Sequence, residues 1–226
     1  MDVGAVVLSR AGYQGSEVQH TNLYPALNAE FKGRWFLNPF NGVGVSVINK
    51  RDTVLSTSLT FNPGRDSADT PFDDPAFDFD PGAAWKISGR YRLKYVAIGG
   101  NFNVPVFGDM KGARGAVRVS TLIPVTDQLD IAPSLAASWQ SKSRMNDLYG
   151  VTAQQNLVSN TGLFEYDSGF SGYSVALGTL WRTKEKDWAV VGVLNYRTLV
   201  GDIKDSPLTP QDDGILAAIA VAKRFE

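Results

Sequence analysis

The stretch from Gly172 to Leu199 constrains this chain most. It holds two runs that alternate with period two, separated by Lys184, Glu185, Lys186 and Asp187. In the first run Tyr173, Val175, Leu177, Thr179 and Trp181 share a face. In the second, Trp188, Val190, Gly192, Leu194 and Tyr196 do. Side chains of a strand alternate between two faces, so each run reads as a strand and the pair as a hairpin. Tyr173 and Trp181 are eight residues apart, and so are Trp188 and Tyr196. At about 3.3 Å per residue and a tilt near 40°, eight steps rise roughly 20 Å. The apolar band of an outer-membrane barrel is about 25 Å tall and edged by aromatic girdles. Two readings fit: a lipid-facing hairpin with the charged turn at one membrane surface, or a soluble barrel with these aromatics in its core.

Similar segments recur along the 226 residues. They lie at Val3–Arg10, Leu23–Phe31, Arg34–Asn38, Gly42–Ile48, Thr53–Asn62, Ala83–Leu93, Tyr95–Val106, Ala116–Val125, Leu129–Ser141 and Gly214–Phe225, besides the central pair. The expected fold is therefore all-β: one antiparallel transmembrane β-barrel domain over residues 1–226, with twelve strands. Ten are possible if residues 34–48 form one bent strand or leave the wall. Loop lengths support the barrel. Short turns at Lys32-Gly33, 49–52, near Lys94, 126–128 and 183–186 alternate with longer connections at 11–22, 63–82, 107–112, 142–167 and 200–212. Periplasmic turns are short and outer loops long in such barrels. The exception is Pro39–Asn41, a very short outer loop. One short loop helix is expected, because Thr152-Ala-Gln-Gln155 reads as a capping box.

Alternation also sorts the side chains. Trp85, Tyr91, Trp139, Tyr173, Trp181, Trp188, Tyr196 and Phe225 are expected in the lipid-facing girdles. Glu30, Lys86, Arg90, Arg92, Arg118, Asp130, Arg182 and Arg197 are expected to line the lumen. Bases outnumber acids there, although the whole chain has a net charge of −1. Either an interior ion-pair network fills the barrel, or a narrow basic channel favours anions.

The near-zero charge argues against nucleic acid as a partner. No cysteine is present, so there is no disulfide and no thiolate site. The only histidine, His20, is expected in a solvated outer loop, and no catalytic, cofactor or metal-ligating constellation is expected. The segment Asp66–Asp80 carries six aspartates and no base. It reads as a solvated loop or as a weak calcium site of unfamiliar spacing. Met-Asp-Val-Gly has no basic start or long apolar stretch, so the chain is expected to be the mature form of an exported protein.

Several pieces together resemble the MipA/OmpV family of outer-membrane proteins. They are Tyr13-Gln-Gly-Ser16, Gly64-Arg65, Tyr149-Gly-Val151 with the short helix after it, Ser159-Asn-Thr-Gly-Leu163, Gly201-Asp-Ile-Lys-Asp-Ser-Pro207 and the final Arg224-Phe225. The resemblance implies a monomeric, non-enzymatic barrel in contact with outer-membrane lipid and lipopolysaccharide. It further implies an envelope scaffold that holds a murein lytic transglycosylase and a murein synthase together. Porin-like and adhesive roles are also implied for such proteins. Outer-membrane barrels commonly end on an aromatic; here Glu226 follows Phe225.

Overall fold

The computed structural model describes residues 1–185 and 187–225. Lys186, in the expected turn 183–186, and Glu226 lie outside the described residues. The first half of the chain forms β1 (Asp2–Ala11), β2 (Gln19–Phe31), β3 (Trp35–Asn38), β4 (Gly42–Asn49), β5 (Thr53–Asn62) and β6 (Gly82–Arg92). The second forms β7 (Ala97–Phe107), β8 (Arg114–Ser120), β9 (Ile123–Pro124), β10 (Leu129–Gln140), β11 (Gly169–Arg182), β12 (Trp188–Leu199) and β13 (Asp213–Arg224). β8 and β9 are two pieces of one wall strand, and both pair with β10. β13 pairs with β1, which closes the sheet. The result is a closed antiparallel barrel of twelve strands.

Residues 35–49 form two strands, not one bent strand. The side chain of Asn38 accepts hydrogen bonds from the backbone N–H groups of Phe40 and Asn41, at 3.1 and 2.8 Å, and so closes the tight turn. Gly42 follows with φ 72°, a conformation open to glycine. The central hairpin pairs Val175 with Tyr196, Leu177 with Leu194 and Trp181 with Val190. The termini meet at the short-turn end. The Met1 ammonium donates to the Phe225 carbonyl at 2.9 Å, and Arg224 bonds Asp2 at 3.0 Å. All long connections emerge at the other end.

A barrel wall offers little dry core, and the buried apolar clusters lie at the long-loop end. One holds Met110, Met145, Leu148, Tyr149, Leu199 and Ile203. The other holds Phe77, Val151 and Leu208. Two helices belong to this region. α1 (Lys142–Tyr149) is absent from the sequence reading, because eight residues hold only two turns of apolar spacing. α2 (Ala153–Ser159) is the expected one. Thr152 and Gln155 make the complete capping box, and Asn160 ends the helix at φ 51°. No helix among the described residues is long and apolar enough to cross a membrane.

Candidate functional site

Polar side chains tie the long loops to one another through backbone carbonyls. Arg65 donates from Nε to Phe77 O at 2.9 Å and from Nη1 to Leu148 O at 3.0 Å. Its guanidinium also lies over the rings of Phe79 and Tyr13. The hydroxyl of Ser206 donates to Tyr149 O, that of Tyr13 to Leu208 O, and Gln155 Nε2 to Ala76 O. Buried carbonyls need such partners, so the bond to Phe77 O holds the loop after β5 together and each of the others fixes one loop against another. The loops thus form a cap over that end of the barrel. Burial pushes the Arg65 guanidinium down to about 10 and the Tyr13 phenol up, but the guanidinium keeps its charge at neutral pH.

Beneath the cap lies a chamber of about 340 Å³. Arg10 of β1, Lys86 of β6, Arg114 of β8, Arg197 of β12 and Arg144 of α1 line it, with Asn101, Asn103, Ser138 and Gln140. No carboxylate is among the lining residues. Two like charges about 8 Å apart repel by about 2 kcal/mol at an effective dielectric near 20. Five cations around one small volume therefore need water or an anion to offset them. Arg144 is 6% exposed and its Nε makes no hydrogen bond. Burial, and then the nearby Arg114, push it down to about 10. A second cavity of about 460 Å³ at the short-turn end is lined by Arg90, Arg92, Lys94, Ser120 and Thr121, also without a carboxylate.

Four of the eight residues expected in the lumen line these cavities. Lys86 and Arg197 line the chamber and Arg90 and Arg92 the lower cavity. Arg118 donates to the Ser134 hydroxyl at 2.8 Å, and Arg182 pairs with Asp130 at 2.9 Å. Glu30 is exposed near the turn at Gly33. Arg10, Arg114 and Arg144 were missed. The register of the first strand was ambiguous, β8 starts two residues earlier than read, and Arg144 comes from the unforeseen helix. Seven of the girdle residues, Trp85, Tyr91, Tyr173, Trp181, Trp188, Tyr196 and Phe225, are 41% to 55% exposed. Trp139 is half-buried beside a register shift in β10.

His20 departs from its expected place. β2 starts at Gln19, so His20 is on the wall, opposite Arg10. Its Nε2 lies 2.6 Å from the Asp69 carboxylate. Ser16 donates to the Asp69 carbonyl, not to the imidazole, so no nucleophile–base hydrogen bond is formed here. The acidic segment is folded. Asp66 and Asp74 cap two short 3₁₀ turns, and Asp78 accepts from Ser67 N. No group of three potential metal ligands occurs among the described residues.

A closed twelve-stranded barrel with a polar interior and an apolar exterior defines a porin-like outer-membrane fold. Two solved structures share it. One is described as the KdgM porin, with TM-score 0.52, 5% identity and 100% of both chains covered. The other is described as the NanC porin, with TM-score 0.51, 8% identity, and 99% of this chain and 100% of that one covered. No curated protein matches the chain in sequence. The family model of the MltA-interacting protein MipA matches residues 3–225, and the chain belongs to that family.

Proposed function

We propose that this barrel is a narrow solute channel of the bacterial outer membrane that favours anions. The chamber supports this reading, with five cationic side chains and no carboxylate in its lining. An interior ion-pair network would instead match base to acid. Among the described residues only Arg182, with Asp130, and Arg224, with Asp2 at the short-turn rim, have a carboxylate partner among the inward bases, and neither lines the chamber. The cap restricts the outer mouth, so passage depends on its opening. The outer-membrane location, the lipid and lipopolysaccharide surroundings, the monomeric state and the absence of catalysis belong to the same proposal. The test is conductance of the refolded protein in a planar bilayer across a salt gradient. The reversal potential should show anion preference, and Arg114→Glu with Arg197→Glu should reverse it. No conductance from folded barrel would reject the channel.

The family's description favours a second reading, an anchor for murein enzymes. The end bearing the termini offers only short turns, which is little surface for a protein partner. Immobilised barrel should retain a purified murein lytic transglycosylase and a murein synthase if this reading holds.

A further inference from the structure

The wall is incomplete in one place. β2 pairs with β1 from Gln19 to Asn28, but with β3 only at Ala29, Glu30 and Phe31. The β3–β4 hairpin ends at Pro39–Asn41, and β4 follows β5 only as far as Leu59. The second edge of Gln19–Asn28 therefore has no strand beside it. Pro25 sits in this segment, and proline is tolerated on a strand whose donor side is unpaired. No residue of β2 is buried.

An open sheet edge facing hydrocarbon leaves backbone groups unsatisfied at several kcal/mol each. Irregular backbone is tolerated at membrane depth only where it is buried in protein or lines a water-filled cavity, and no residue of β2 is buried. Such a cavity, of about 550 Å³, lies behind this edge, lined by His20, Asn22 and Tyr24 on one side and Phe61 and Pro63 on the other. It shares Arg10, Gly12, Pro63 and Gly64 with the basic chamber. The outer rim is apolar: Leu23 is 70%, Phe40 61% and Phe61 68% exposed. The loop after β5 forms the remaining edge and is tied to β2 through Asp69 and His20. Asp66, Asp69, Asp78 and Asp80 line the cavity against Arg10 and Arg65, an acidic balance opposite to that of the chamber.

From this geometry we infer that the gap between β2 and β5 is a lateral portal for a single-chain amphiphile with a cationic head. The alkyl chain lies along Leu23, Phe40 and Phe61 in the bilayer. The head reaches the carboxylates of the cavity, and water covers the free edge of β2. This goes beyond the channel reading and requires only that the barrel spans a membrane.

The chain has no cysteine, so single cysteines report access directly. Tyr24→Cys and Asn22→Cys place a thiol in the cavity, and Ser174→Cys places one on the inner face of β11, away from the gap. In proteoliposomes, a long-chain N-alkyl maleimide dissolved in the bilayer should modify the two cavity variants an order of magnitude faster than Ser174→Cys. Dodecyltrimethylammonium, below solubilising concentration, should slow that reaction, and dodecyl sulfate should not. Asp66→Asn with Asp80→Asn should abolish the difference between the two surfactants. Equal labelling of cavity and control thiols would overturn the portal. Protection by both surfactants, or by neither, would overturn the cationic ligand. Heat-shifted gel migration establishes that each variant is folded. Conductance is a separate readout, so a barrel that labels as expected but does not conduct rejects the channel alone.

Discussion

Arg65 shows how one residue organises the cap. It is 3% exposed, makes two hydrogen bonds to carbonyls of different loops and contacts two rings. Hydrogen bonds to a charged group contribute about 1.5–3 kcal/mol each, and losing the donor leaves both carbonyls buried and unpaired. Arg65→Ala should therefore destabilise the cap by about 3 kcal/mol or more while the barrel stays intact. Hydrogen exchange should find the amides of residues 142–168 opening faster, with wall amides unchanged. Asp147 adds a pH dependence. Burial raises its pKa above the ordinary carboxylate value of 3.8, against the opposing hydrogen bond from Lys111 N. A raised acid binds its proton more readily folded than unfolded, so the cap should gain stability as pH falls through that raised value. Asp147→Asn should remove this dependence, again read from cap exchange.

At the scale of elements, the alternation of β11 and β12 sets what each position tolerates. Leu177 pairs with Leu194 on the outer face, well inside the strand, whereas Thr183 lies at the turn. An arginine on the lipid face costs about 2–4 kcal/mol at the midplane and about 0–1 near the interface. Leu177→Arg should be costly and Thr183→Arg nearly silent, measured by reversible unfolding in lipid. Equal costs would reject the depth assignment. For α2, Thr152→Ala removes the hydroxyl that accepts from Gln155 N, leaves the backbone N–H of residue 152 bonded to Gln155 Oε1, and should cost about 1 kcal/mol locally. Exchange of the Gln155 and Asn156 amides would report it.

For the molecule as a whole, the cap sits on a barrel whose interior is basic. Replacing residues 142–168 by a short turn removes Arg144 and half of one apolar cluster, Met145, Leu148 and Tyr149. Conductance should rise severalfold, and anion preference should persist because Arg10, Lys86, Arg114 and Arg197 remain. Loss of that preference would assign selectivity to the cap instead of the wall.

The strands and the sorting of long and short connections were legible in the chain because they follow a local rule. Side chains alternate along any strand, so parity around Tyr173, Trp181, Trp188 and Tyr196 says which residues share a face. The capping box at Thr152 was legible for the same reason, since its partners are three residues apart. What lay beyond local reading depends on contacts between distant segments. Arg10, Arg114, Arg144 and Arg197 become neighbours only when β1, β8, α1 and β12 are brought around one volume. His20 meets Asp69 only because the loop after β5 folds back onto β2. The free edge of β2 has no local signature beyond Pro25, because pairing belongs to two strands at once. Periodicity determined the barrel; closure of the sheet and docking of its loops decided where charge, water and lipid meet.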